Sequence, residues 1–198
     1  MTPRLLVATT NRGKQREFRR LLGGLAVAVV TPDEIRLDME VEEPFDTYAE
    51  NATAKAVAYC RASGLLTLAD DSGIEVAAMA WGPGVRSARW GTGDGSQAEQ
   101  VVAAVGDNED RRARMVCALA LAAPGEPDPA VEVFTGVVEG SVSPEPRGER
   151  GFGYDPIFLL PSGRTTAELP EADKDRISHR GRAVAAAAPR IAELLGVH

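Results

Sequence analysis

The chain has 198 residues, 44% of them hydrophobic, with a formal net charge of −7 and a pI near 5.0. That length admits one sizeable domain, or a core domain with a lobe, and the apolar fraction is enough for a real core. The negative balance argues against electrostatic binding to duplex nucleic acid, which needs a basic face, but not against a small phosphorylated ligand held by a few local cations.

Arg4 to Thr9 reads as a buried strand and Thr10-Asn11-Arg12-Gly13 as a turn. A helix is expected from about Lys14 to Leu22, with Phe18, Leu21 and Leu22 on one face and Gly23-Gly24 as its stop. A strand, a polar loop and a helix start present free backbone N–H groups and suit a phosphate, with Thr9, Asn11 and Lys14 adding donors. The Walker A pattern is absent, and strand–turn–helix with a Lys is also common plain structure. Leu25 to Val30 reads as a second strand. The acidic stretch to Phe45, with Glu40, Glu42 and Glu43, reads as a solvated loop. Asp46 or Thr47 caps a helix to about Ser63, stopped by Gly64, with Ala52, Ala56, Tyr59 and Cys60 as its apolar stripe. Glu50, Asn51 and Lys55 lie on the same helix, and a Glu50–Lys55 pair in solvent would contribute little.

Leu66-Thr67-Leu68-Ala69 reads as a short buried strand delivering Asp70, Asp71, Ser72 and Gly73. Neighbouring strand side chains point to opposite faces, so one Asp can face a cleft while the other anchors the structure behind it. Carboxylates beyond the C-terminal end of a strand sit where open α/β sheets bind ligands, and their oxygens suit a hard cation such as Mg²⁺. The same four residues equally suit a polar turn. Ala77 to Gly95 reads as a long Gly-rich loop whose Trp81 and Trp90 fit either a partner surface or core packing. Its GTGDG stretch lacks the spacing of a dinucleotide fingerprint.

Ser96-Gln97-Ala98-Glu99 forms a capping box opening a helix through Val105, with Val101, Val102 and Val105 inward. Asp107 to Arg114 reads as a charged loop. Met115–Ala122 and Val131–Glu139 read as paired strands joined by the turn Pro124 to Pro129. Gly151-Phe152-Gly153-Tyr154-Asp155-Pro156 then precedes a strand at Ile157–Leu160; two glycines beside an aromatic permit close approach to a flat ligand, or a plain Gly-rich hairpin. After a polar helical turn at Glu168–Asp175, the residues Lys174, Ser178, His179 and Arg180 cluster. A last helix is expected from about Arg182 to Leu195, kinked or split by Pro189.

Two residue types add to this. Nineteen Arg stand against three Lys, namely Lys14, Lys55 and Lys174, so a retained Lys suggests a place needing a compact point charge. Cys60 and Cys117 have no metal-ligand spacing and fit reduced core thiols of a cytoplasmic protein. With no charged-then-apolar leader and no apolar run near about 18 residues, a soluble chain with no membrane association is expected.

Four motifs now stand in order: T-x-N-x-x-K at Thr9–Lys14, A-D-D-S-G at Ala69–Gly73, F-G-Y-D-P at Phe152–Pro156 and S-H-R-G at Ser178–Gly181. In these the chain resembles, over essentially its whole length, the inosine triphosphate pyrophosphatase family, house-cleaning enzymes that hydrolyse ITP, dITP and XTP to the monophosphate and pyrophosphate. The resemblance implies an α/β fold, an elongated mixed β-sheet flanked by helices with two lobes around a central substrate cleft, as a single domain and usually a homodimer. It implies that Thr9, Thr10, Asn11, Arg12, Gly13 and Lys14 hold the triphosphate. Glu43 and Asp71 would hold Mg²⁺ with Asp70 in support, and Asp71 would also be the proton acceptor. Ser72 would touch the substrate, and Phe152, Gly153, Tyr154 and Asp155 would sandwich and hydrogen-bond the purine. Lys174, His179 and Arg180 would close on the base and its 6-oxo group. Thr10 stands where the family often has Gly, and Glu43 is chosen over Glu42 by alignment. Three other readings compete: a Maf-like pyrophosphatase for modified pyrimidine nucleotides, a non-catalytic nucleotide sensor, and a nucleic-acid-binding protein. The Phe152 and Ser178 motifs oppose the first, the intact acids the second and the charge the third.

Overall fold

The fold is that of a computed structural model, which describes residues 2–90 and 96–197; the GTGDG stretch and the terminal His198 lie outside the described residues. Among the described residues seven strands form one mixed sheet: β1 (Arg4–Val7), β2 (Ala28–Val30), β3 (Leu66–Val76), β4 (Gly82–Pro83), β5 (Arg112–Ala123), β6 (Ala130–Val142) and β7 (Phe158–Leu159). Their order is β2-β1-β3-β5-β6-β7, with β4 paired to β3. β1 pairs in parallel with β2 and β3, whereas β3–β4 and β6–β7 are antiparallel. Five helices among the described residues accompany the sheet: α1 (Arg12–Leu21), α2 (Tyr48–Ser63), α3 (Gln97–Val105), α4 (Glu171–Ile177) and α5 (His179–Leu195). None of the described helices is long and apolar enough to cross a membrane.

The chain divides into two compact units, one of Met1–Asp71, Cys117–Gly136 and Arg180–His198, the other of Ser72–Val116 and Val137–His179. In the first unit the alternation of strand side chains sorts two cores. Leu5, Val7, Leu66, Leu68, Cys117, Leu119 and Leu121 bury with Phe18 and Leu22 and with Ala183, Val184, Ala187 and Ile191 of α5. The opposite phase, Leu6, Ala8, Ala69, Ala118, Ala120 and Ala122, meets Ala52, Ala56, Tyr59 and Cys60 of α2. Asp70 continues the first phase and Asp71 the second. In the second unit Ile74, Val76, Met115, Val138, Val142 and Phe158 pack with Ala98, Val101 and Val105 of α3.

Local signals fix several helices where expected. Thr47 caps α2 by accepting from the Glu50 N–H, and Gly64 closes it in the left-handed conformation at φ 66. Ser96 and Glu99 complete a capping box on α3.

Other expectations are corrected. Asp70-Asp71-Ser72-Gly73 is neither a turn nor the end of a strand, because β3 runs through it to Val76. The strand that does end beside the acids is β1, whose last paired residue Val7 stands opposite Leu68. Within residues 77–90 the expected loop is structured, with 3-10 turns at Ala77–Met79 and Gly84–Arg89 flanking β4. Of its tryptophans, Trp81 is exposed under the Arg114 guanidinium, while Trp90 packs against the second unit's core. β5 begins at Arg112, inside the expected charged loop. α5 begins at His179 and continues through Pro189 without splitting. The residues on either side of that proline, Ala183, Val184, Ala187 and Ile191, are buried in one apolar cluster, so packing holds both halves in line despite the lost N–H.

Candidate active site

Asp70 lies on the α1/α5 side of β3 at 1% exposure. Its Oδ2 accepts from the Lys14 ammonium at 2.9 Å and from Arg180 Nε and Nη2 at 3.3 and 3.2 Å. Arg180 Nη1 donates in turn to Glu17 Oε2 at 2.7 Å. Burial alone would raise the Asp70 pKa, but Lys14, Arg180 and Lys55 outweigh it and hold the carboxyl well below the usual range. Arg180, desolvated but facing Asp70 and Glu17, is held still more firmly charged than usual. Helical spacing brings Lys14 and Glu17 to one face of α1, three residues apart, and the first residues of α5 bring Arg180.

Asp71 faces the other way. Asn51 Nδ2 of α2 donates to its Oδ2 at 3.0 Å, and the same amide bridges both backbone groups of Phe45 at 3.0 and 3.1 Å. Lys55, one turn further along α2, donates to Glu43. Burial pushes the Asp71 pKa up, the Asn51 amide opposes this and the Glu43 charge adds to it. For Lys55 burial favours the neutral form, but Asp70, Glu43 and Asp71 together raise its pKa. Glu42, by contrast, is exposed. The ammoniums of Lys14 and Lys55 and the Arg180 guanidinium stand among the carboxylates of Glu17, Glu43, Asp70 and Asp71. Glu43, whose charge raises the Asp71 pKa, and Asp71 itself supply hard carboxylate oxygens, the donor type a divalent cation takes.

The loop from Thr9 to Gly13 leads into α1. Thr9 Oγ1 accepts from the Asn11 N–H at 3.2 Å, and Asn11 caps the helix by accepting from the Lys14 N–H at 3.0 Å. Thr10, Asn11 and Arg12 are exposed, so this loop and helix start face solvent, from which an anion can approach. Buried Gln15 ties the loop down, donating to the Thr9 carbonyl at 2.9 Å and to Asp33 at 3.3 Å.

In the second unit Gly151–Asp155 closes on its own aspartate. Asp155 is 2% exposed, and its Oδ2 accepts from the Phe152 N–H at 2.7 Å and from the Lys174 ammonium at 2.6 Å. The Lys174 ammonium lies 5.2 Å from the centre of the half-buried Phe152 ring. Tyr154 points inward, donating to the Ser87 carbonyl at 2.6 Å, and burial pushes its pKa up to about 12. Gly153 is exposed at φ 61. Ser72, partly exposed, follows Asp71 on β3. His179, 4% exposed, lines a small pocket with Asp155, Lys174, Phe158, Ile177 and Ser178.

The Ham1 family profile matches residues 5–190. A dITP/XTP pyrophosphatase of Gloeobacter violaceus is 46% identical over 181 residues, 91% of this chain and 90% of its own length. The chain belongs to the Ham1 family. A dITP/XTP pyrophosphatase of Symbiobacterium thermophilum is 44% identical over 195 residues, covering 97% of this chain and 96% of its own. Among solved Ham1 structures, that of a HAM1 protein from Coxiella burnetii superposes with a TM-score of 0.84 at 38% identity, over 97% of this chain and 100% of that one. A dITP/XTP pyrophosphatase from Mycobacterium abscessus gives 0.71 at 40% identity, over 94% and 99%. The family resemblance drawn from four short motifs therefore holds, as does the mixed α/β sheet flanked by helices.

Within this Ham1 chain, the first unit gathers Lys14, Glu43, Asp70, Asp71 and Arg180 in one charged region. The second gathers Phe152, Asp155, Lys174 and His179. Arg180, expected at the base, engages Glu17 and Asp70. Sequence reading passed over Glu17, and gave Asn51 and Lys55 no place in the site although scarcity marked Lys55. Glu17 carried a signal: it sits beside Phe18 on the face of α1 that buries, a place where a charge needs a partner.

Proposed function

We propose that this Ham1 chain hydrolyses the non-standard purine triphosphates ITP, dITP and XTP to the monophosphate and pyrophosphate with Mg²⁺, as a cytoplasmic homodimer acting on nucleotides rather than nucleic acid. The observation that carries the reading is the pair of adjacent carboxylates on β3, one neutralised by Lys14 and Arg180 and the other held by the Asn51 amide with the Glu43 carboxylate in its field. The names borne by its Ham1 relatives agree with it.

In this reading Thr9 to Lys14 receive the phosphates, with the solvent-facing loop and the α1 start meeting their charge. Glu43 and Asp71 would hold Mg²⁺, which when bound neutralises phosphate charge and makes a bound water more acidic. Asp71, whose raised pKa suits it to accept a proton, orients the water that attacks the α-phosphorus. Asp70 is a fixed anion that holds the Lys14 ammonium in place for the leaving pyrophosphate. Phe152 offers its ring to the purine, and Lys174 and His179 face the base edge. A 6-oxo purine accepts where adenine donates, and a buried donor left unpaired costs about 1–3 kcal/mol, so two mismatches reject adenine by about 10²-fold.

Pyrophosphate release from ITP, XTP, GTP, ATP and dTTP, with and without Mg²⁺, tests this. Metal-dependent release confined to ITP and XTP is expected. Release from dTTP alone would overturn the purine assignment, and tight binding of ITP without release would overturn the catalytic one.

A further inference from the structure

The Asp155 carboxylate serves the protein on both oxygens. Oδ2 takes the Phe152 N–H and the Lys174 ammonium, while Oδ1 takes the Thr166 hydroxyl at 2.9 Å. The Thr166 hydroxyl also lies 3.1 Å from the Asp155 carbonyl, which accepts the Ala167 N–H at 3.2 Å. Thr166 is itself 3% exposed and stands in a 3-10 turn whose capping box, Thr165 with Glu168, fixes its backbone. On the far side Gly151 adopts φ 76, and a Cβ placed there would collide with the same Oδ2. The carboxylate is thus held from two sides, by a residue that must have a hydroxyl and by one that must have no side chain.

Two consequences reach the base end of the site. With its charge offset by Asp155, in a pair whose side chains are 6% and 2% exposed, Lys174 suits a neutral carbonyl acceptor better than a phosphate. And because one oxygen binds both the Phe152 N–H and the Lys174 ammonium, rotation of the carboxylate moves the ring and the ammonium together. From this we infer that Thr166 is a positioning residue for base recognition. It pins the plane of the Asp155 carboxylate and so sets the spacing between the Phe152 ring and the Lys174 donor. Asp155 acts through those two groups rather than by touching the purine. The inference rests on the purine reading of the site.

The test compares Thr166→Val, which keeps the shape and loses the hydroxyl, with Thr166→Ser, which restores it. For Thr166→Val the KM for ITP should rise about tenfold, as for loss of one hydrogen bond to a charged group, with kcat within about twofold. Thr166→Ser should return KM to the wild-type value. Independently of substrate, the chain has only three lysines, so ammonium NMR resolves Lys174 directly. Its signal should shift or broaden in Thr166→Val and recover in Thr166→Ser. Unchanged KM and unchanged Lys174 signal in Thr166→Val would overturn the inference while leaving the purine reading intact. A Thr166→Val chain that does not fold would overturn it too, by assigning the hydroxyl to stability alone. A wild-type chain inactive on ITP and XTP would sink the purine reading, and the Lys174 signal would still decide the Thr166 contact.

Discussion

The two sides of β3 in the first unit handle adjacent carboxylates in opposite ways. Toward α1 and α5, Asp70 meets Lys14 and Arg180 while Arg180 also meets Glu17, so each charge has an opposite in contact. Toward α2, Asp71 has a neutral amide in contact, with the Glu43 carboxylate and, acting against it, the Lys14 and Lys55 ammoniums in its field. One side spends desolvation on order and the other keeps a group whose charge state is open to change. The difference separates what holds the site from what would perform its chemistry, although the two residues are adjacent in the chain.

The largest expected effect lies on the second side. Asp71→Asn should reduce ITP turnover by about 10²–10⁴-fold, the contribution of a positioned base, while the metal-free Tm stays level or rises. A fall in Tm of several degrees together with retained turnover would reverse the roles of the two sides. On the first side, Arg180→Met leaves Glu17 and Asp70 buried without their shared cation and should cost about 3–5 kcal/mol in urea unfolding. A loss under about 1 kcal/mol would mean that solvent reaches the pair.

The smallest effect sharpens the contrast by its sign. Asp70 has a folded pKa below its unfolded value near 3.9, so its stabilisation is present above that value and fades as pH falls through the folded pKa. Asp71 has a raised folded pKa, so it favours the fold only at low pH, and that contribution is lost as pH rises through the folded pKa. In chelator, the stability deficit of Asp70→Asn should therefore shrink on acidification, and the stability gain of Asp71→Asn should appear only on going toward neutral pH. Urea midpoints between about pH 1.5 and 8 read both, and slopes of the same sign would erase the distinction.

How much of this was legible follows from where the deciding contacts lie in the chain. The caps of α2 and α3 are local, and Thr47, Gly64 and the Ser96–Glu99 box announced them. The alternation that sends Asp70 and Asp71 to opposite faces was equally readable. That β3 continues through four turn-favouring residues was not, because what holds them extended is remote: Asn51 stands 20 residues from Asp71 and Arg180 stands 110 from Asp70. The lysines fell in between. Their scarcity marked them, and the structure gives each of the three a carboxylate in contact, Asp70, Glu43 and Asp155. Only the fold names those partners.

The first unit is assembled from three separated stretches of chain, and its last stretch begins at Arg180. A ribosome makes the chain in one direction, so Glu17 and Asp70 emerge long before the guanidinium that neutralises both. Until Arg180 arrives, burying that side of the sheet would leave Glu17 and Asp70 without their shared cation, a penalty large enough to keep the first unit open. Completion of this half of the molecule therefore waits on Arg180, the residue that opens its last stretch.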